Sequence, residues 1–258
     1  MKITLLGTGT SVGIPSLGQL GWGKCNPQNP KNKRQRCSVL IQTNDTNILI
    51  DAGPDIKNQL INYDLKSLDT IIITHEHSDH ISGLDELRPF YFYKQEKINI
   101  YTIERTADFL LNRFDYLFKK NEKSQSYFKP PMSLNILNYY DEINLNGINI
   151  KTIKQHHGVI DTLGIIINDK FAYCTDVVDF PDNSFDKLKN LDTLVITGLR
   201  STPHVAHAHF DLTFSWIKEL KPKKAFLTHL SPDSDHDYVL SLCPKNVEPA
   251  YDNMCFDI

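Results

Sequence analysis

Two hydrophobic patterns alternate along the chain. One is the short continuous apolar run, which marks a strand buried on both faces. Thr70-Ile71-Ile72-Ile73 is the clearest case, and Asp192–Thr197 and Ala225–Thr228 read the same way. Lys2–Leu6 is a further short strand, closed by the turn Gly7-Thr8-Gly9-Thr10-Ser11. Cys37–Gln42 and Asn47–Asp51 read as a hairpin around Thr43-Asn44-Asp45-Thr46. Strands are also predicted at Ile98–Tyr101 and near 134–138, 143–145, 148–153, 163–167 and 170–174. The second pattern is helical. Pro54, a residue suited to a first helical position, opens a helix to Tyr63. Leu84–Tyr93, Arg105–Phe118 and Phe210–Leu220 are predicted helices, while 13–36 and Lys119–Pro131 read as loops.

Strands mix with helices in both halves, and no linker or repeat divides them. The pattern predicts an α/β (α+β) chain, with two packed sheets and helices outside, as one domain over 1–258. Composition adds exclusions. At 40% hydrophobic and 23% charged, the chain is neither disordered nor fibrous. Its formal net charge of −3 disfavours a general nucleic-acid binder. No apolar run is long enough to span a membrane. The N-terminal residues lack a signal-peptide plan. Five widely spaced cysteines fit a reduced, cytoplasmic chain better than a disulfide framework. The basic run Lys31–Arg36 reads as a solvated loop face.

Candidate chemistry changes the picture more. The chain has 10 histidines, none before residue 75. The buried strand at 70–73 delivers the chain into His75-x-His77-x-Asp79-His80. Imidazole nitrogens and a carboxylate suit zinc or another divalent first-row ion. In an extended segment His75 and His77 project the same way and can grip one ion. Asp79 and His80, past the turn, can grip a second. A metal pair needs more ligands, and three other strand ends offer them: Gln155-His156-His157-Gly158, Thr175-Asp176 and Thr228-His229.

This succession resembles the ligand motifs of the metallo-β-lactamase fold superfamily. Leu49-Ile50-Asp51-Ala52-Gly53 is similar to that superfamily's first motif, whose Asp supports the ligands from behind. The resemblance runs from Gly7-Thr8-Gly9 to Met254-Cys255-Phe256. It implies a four-layer αββα sandwich of two packed mixed sheets with helices outside. It also implies two divalent ions, Zn or Mn, as cofactors. His75, His77 and His157 would hold one ion, and Asp79, His80 and His229 the other. Asp176 would bridge them, and Asp79 would belong to the catalytic machinery as well.

Three stretches narrow the branch. Asn29–Ser38, Gly83–Pro89 and Gly198-Leu199-Arg200-x-x-Pro203-His204 resemble the phosphoribosyl cyclic phosphodiesterase branch known from carbon–phosphorus lyase pathways. The resemblance implies hydrolysis of a small anionic cyclic phosphodiester, phosphoribosyl 1,2-cyclic phosphate-like, by metal-bound hydroxide with a histidine general acid. His209, just before Phe210-Asp211-Leu212, aligns with that acid, and His207 competes with it. Arg88, Arg200 and His207 are candidates for substrate contact. Members of the branch are commonly dimers, so a homodimer is implied as well. A tRNA 3′-end processing endonuclease of the same superfamily, or a thioester or lactone hydrolase, is the alternative. The first loop offers only Cys25 and Cys37, too few for the structural zinc of some members.

Overall fold

The structure, a computed structural model, describes residues 1–119 and 129–258. In the run Thr70–Ile73, alternate side chains enter different cores, as the period-two geometry of a strand requires. Ile72 joins Val39, Ile50, Ile165, Tyr173 and Val195 in one buried layer. Ile71 and Ile73 join Leu40, Leu49, Ile81, Leu84 and Leu110 in another. A third layer holds Ile166, Leu194, Ile196 and Leu227 against Phe210, Trp216 and Leu220. Two sheets therefore share the middle core, and helices cover the outer face of each. This is the four-layer αββα sandwich.

The elements run in order. β1 (Lys2–Gly7), β2 (Ser38–Gln42), β3 (Asn47–Ile50) and α1 (Ile56–Leu60) come first. β4 (Thr70–Ile72), α2 (Ser78–Ile81), α3 (Arg88–Lys94) and β5 (Ile98–Ile103) follow. α4 (Glu104–Arg113), α5 (Asp115–Phe118) and β6 (Met132–Leu137) complete the first half. β7 (Glu142–Leu145), β8 (Ile148–His157), β9 (Ile160–Ile167) and β10 (Phe171–Cys174) open the second. Then come α6 (Asp182–Lys187), β11 (Thr193–Thr197), α7 (Phe210–Leu220) and β12 (Lys224–Thr228). α8 (His236–Leu242), β13 (Val247–Pro249) and β14 (Met254–Asp257) close the chain's described part.

One sheet has the order β14-β1-β2-β3-β4-β5-β6, the other β13-β12-β11-β10-β9-β8-β7. Both are mixed. β3 to β6 pair in parallel, as do β10 to β13, while the remaining pairs are antiparallel. Each fully buried Ile or Val contributes about 1.5–3 kcal/mol. That rigid interior fixes the strand ends from which the site rises.

The structure corrects several boundaries. The helix predicted over 105–118 breaks at Phe114, whose φ of −128° and ψ of 35° leave the helical region. The predicted start at Pro54 moves to Ile56. α6, α8, β13 and β14 carry no clear sequence pattern, being short and flanked by polar turns. Most of the predicted loop Lys119–Pro131 lies outside the described residues. The basic run is not a solvated face throughout. Arg34 is buried, with Nη1 donating to Thr8 Oγ1 at 2.9 Å and to the Ala250 carbonyl. No helix among the described residues is long and apolar enough to cross a membrane.

Candidate metal centre

Parallel strands place their C-terminal ends along one edge, where sites of mixed folds are usually built. β3 delivers Asp51, β4 delivers Thr74 and His75, β10 delivers Asp176, and β12 delivers His229. Thr74 O accepts from Leu163 N at 3.0 Å, which ties the two sheets together here. Asp51, Asp176 and His229 all have left-handed backbone, with φ of 63°, 54° and 56°. Such a conformation costs a non-glycine residue on the order of 1–3 kcal/mol and tends to be kept where a side chain must be aimed. Here it turns the chain sharply at each strand end and points carboxylate or imidazole into the same space.

The side chains converge. His75 Nε2 lies 3.0 Å from His77 Nδ1, and His157 Nε2 lies 3.4 Å from that same atom. His80 Nε2 is 3.3 Å from Asp79 Oδ2 and 3.3 Å from Asp176 Oδ2. His229 Nε2 is 3.4 Å from Asp176 Oδ1 and 4.0 Å from Asp79 Oδ2. His157 Nε2 is 3.8 Å from Asp176 Oδ1. The donor atoms of His75, His77 and His157 lie within 4.8 Å of one another, as do those of Asp79, His80 and His229. Asp176 reaches toward both groups. His77 is exposed, so the cluster opens to solvent on that side.

Partners behind the cluster orient it. Asp51 Oδ1 accepts from Thr74 N at 2.8 Å, and Asp51 Oδ2 faces His80 Nδ1 at 2.7 Å. Thr74 Oγ1 lies 2.9 Å from Asp51 Oδ2 and 3.0 Å from His75 Nδ1. His157 Nδ1 donates to Ala206 O at 2.7 Å. These bonds fix which ring nitrogen faces the cluster. Thr74 and Ala206 are invisible to motif reading, because both act through groups that carry no motif. Gly53 allows a close approach: a Cβ there would stand 2.0 Å from Asp79 O. We expect Asp51→Ala to lower metal affinity about 10–100-fold, the usual cost of losing such a partner, measured by competition with a chelating dye.

Electrostatics follow the geometry. Burial alone would raise the Asp176 carboxyl, but His229 and His80 hold it well below the usual range. Burial also opposes ionisation of Asp79, yet His80 keeps it low. Burial and then His80 push His75 down, favouring the neutral imidazole that a metal requires. Burial and then His229 push His207 down to about 2.

The donor set fits divalent metal. His80 Nε2, His229 Nε2 and His207 Nδ1 are buried without a hydrogen-bond partner. An orphaned buried polar atom is costly, and several aimed at one space need a shared partner. Imidazoles and ionised carboxylates at this spacing are ligands of the zinc and manganese type.

The remaining candidates lie elsewhere or take other contacts. His156 projects away from His157, as strand alternation demands, and faces Asp161 Oδ1 at 2.7 Å. His207 enters the cluster: its ring centroid is 4.5 Å from His229 and 4.6 Å from His157, and its Nδ1 is 3.8 Å from Asp176. His209 does not share these contacts; it is the N-cap of α7, with no side-chain capping bond. Arg88 pairs with Asp85 at 3.2 Å, one turn away. Arg200 Nε donates to Thr202 O at 3.4 Å and lines a cavity of about 380 Å³ with Lys24 and Asp233. Cys25 and Cys37 are buried separately, on Pro232 O and Gly9 O.

Comparison with known proteins agrees with this geometry. The sequence profile of the "Beta-lactamase superfamily domain" matches residues 46–230. A solved structure described as a new diphosphatase from the PhnP family is similar at a TM-score of 0.88 and 30% identity, covering 99% of this chain and 97% of that one. A protein of Porphyromonas gingivalis named octanoyltransferase is 30% identical over 98% of this chain and 51% of its own length. Ribonuclease Z of Saccharolobus solfataricus is 29% identical over 66% of this chain and 54% of its own length. The chain thus spans about half the length of the curated relatives it matches.

Proposed function

The chain belongs to the beta-lactamase superfamily, with its PhnP-family relatives, and we propose that it is a metal-dependent phosphodiesterase acting on a small cyclic phosphodiester. One observation carries this reading. Asp176 lies between a three-histidine group and an Asp79–His80–His229 group, all aimed at one solvent-open space. Two divalent ions held there would neutralise phosphoryl charge and lower the pKa of water.

The protein's own groups supply the rest. His75, His77 and His157 form one ligand set, Asp79, His80 and His229 the other. Asp176, with one oxygen toward His229 and the other toward His80, spans them. Asp51 and Thr74 hold His80 and His75 in the required orientation. The leaving sugar oxygen needs a proton, and the 207–209 segment provides the histidine. We assign that role to His207, whose ring reaches the cluster. To act as the acid, its ring has to be raised by the arriving phosphoryl anion from the low position that burial and His229 give it.

The test is hydrolysis of bis(p-nitrophenyl) phosphate with Mn²⁺ or Zn²⁺, compared with a thioester and a lactone. Phosphodiester cleavage is expected to dominate. Thioester or lactone cleavage without it would overturn the reading. The similarity to ribonuclease Z supports a second reading, tRNA 3′-end processing. The net charge of −3 weighs against a long polyanionic substrate.

A further inference from the structure

Strand alternation divides the segment that follows β4. His75 and His77 turn to one side, with ring centroids 4.6 Å apart, and Glu76 between them turns to the other. Glu76 takes no part in the groups that could hold metal. It is nevertheless buried, and a buried carboxylate needs partners. Each of its oxygens has one. Arg105 Nε donates to Oε1 at 2.6 Å, and Thr106 Oγ1 donates to Oε2 at 3.0 Å.

Those partners are the second and third residues of α4. The residue before the helix, Ile103, makes no side-chain capping bond. A carboxylate at a helix start complements the unpaired N–H groups and the positive end of the dipole. Glu76 supplies that carboxylate from 29 residues away. The helix is itself well seated, with Ala107 and Leu110 buried. The strand that leads into it is bonded to the end of β4: Ile73 N donates to Tyr101 O at 2.9 Å, and Thr102 Oγ1 donates to Ile73 O at 2.8 Å. The backbone of His75 is therefore held by β5 on one side and by α4 on the other. The second ligand group is held differently. His80 O accepts from Ala52 N at 2.7 Å, and His80 Nδ1 faces Asp51.

We propose that Glu76 is a positioning residue. Clamped by Arg105 and Thr106, it fixes the backbone between His75 and His77, and with it the spacing of their ring nitrogens. The assignment rests on the reading of His75, His77 and His157 as ligands of one ion. The Arg105 side chain is 60% exposed, so solvent screens its charge, and the clamp acts mainly through the geometry of its hydrogen bonds. Because α4 touches one ligand group and not the other, the effect is confined to one of the two ions.

The test is Co²⁺ titration of the metal-free full chain, followed by visible absorption, which reports affinity and ligand geometry together. Two ions give two binding steps. His77→Ala marks the step at the three-histidine group, and Asp79→Ala marks the other. Glu76→Ala should weaken the first step by about 10–100-fold, the range for groups that orient ligands, and should change its absorption band. Arg105→Ala should weaken that step by about tenfold, and Arg105→Lys should recover part of the loss. The other step should stay within about threefold in each. Arg105→Ala added to Glu76→Ala should cost nothing more, because both act through one contact. Arg105→Ala lies at a mostly exposed position and should keep the Tm of the metal-free protein, so it decides the matter even if Glu76→Ala does not fold. Equal weakening of both steps, or an unchanged first step in Arg105→Ala, would overturn the proposal. If His77→Ala leaves both steps intact, or the unsubstituted protein binds no ion, the ligand reading fails and the clamp falls with it.

Discussion

Asp176→Ala is expected to lower hydrolysis of bis(p-nitrophenyl) phosphate by more than about 10³-fold, which is about 4 kcal/mol of lost transition-state stabilisation. The reason is position. Asp176 is buried and approaches His80, His157, His207 and His229 within 3.8 Å. Thr175 Oγ1 donates to its Oδ2 at 2.7 Å and helps to fix the carboxylate. Without that carboxylate the two ligand groups lose their shared anion, and His80 Nε2 faces Asp79 alone. Metal content should fall with activity.

Alanine also changes the backbone problem, because Asp176 has a φ of 54°. Aspartate and asparagine tolerate that region better than alanine does. Asp176→Asn therefore isolates the charge. It should keep the fold, measured by its Tm, while losing most activity and metal. Full metal content with activity within tenfold in Asp176→Asn would refute the central position given to this residue.

The sandwich was legible because its inner strands are buried on both faces. Ile71-Ile72-Ile73 and Leu194-Val195-Ile196 send alternate side chains into two cores, so no polar residue interrupts them. Edge strands hide better. β14 alternates between half-buried and exposed positions, and its Met254-Cys255-Phe256 has no continuous apolar signal. The candidate site was legible to the extent that the residues proposed as ligands follow such inner strands. The left-handed turns at Asp51, Asp176 and His229 were not, since any polar residue after a strand reads alike in sequence. Arg34 hid for another reason: the Ala250 carbonyl that receives it lies 216 residues away. His207 and His209 share a strand-like alternation in sequence. Only the N-cap of α7 separates them in space, turning His209 into a helix start and leaving His207 beside His229.

That separation sets up the second large effect. His207→Ala should reduce turnover of adenosine 2′,3′-cyclic phosphate by about 10²–10⁴-fold, the range of a lost general acid. His209→Ala should stay within about threefold, because its ring makes no capping bond and only its backbone oxygen accepts from Thr213 N, at 3.0 Å. The leaving group supplies a sharper readout. p-Nitrophenolate departs as a stable anion without help, whereas a sugar alkoxide needs a proton. His207→Ala should therefore cost far less on bis(p-nitrophenyl) phosphate than on the cyclic ester. Its metal content should be unchanged. Equal losses on both esters with metal lost would make His207 a ligand, consistent with its place beside His157 and Asp176. A silent His207→Ala paired with an inactive His209→Ala would return the acid to His209.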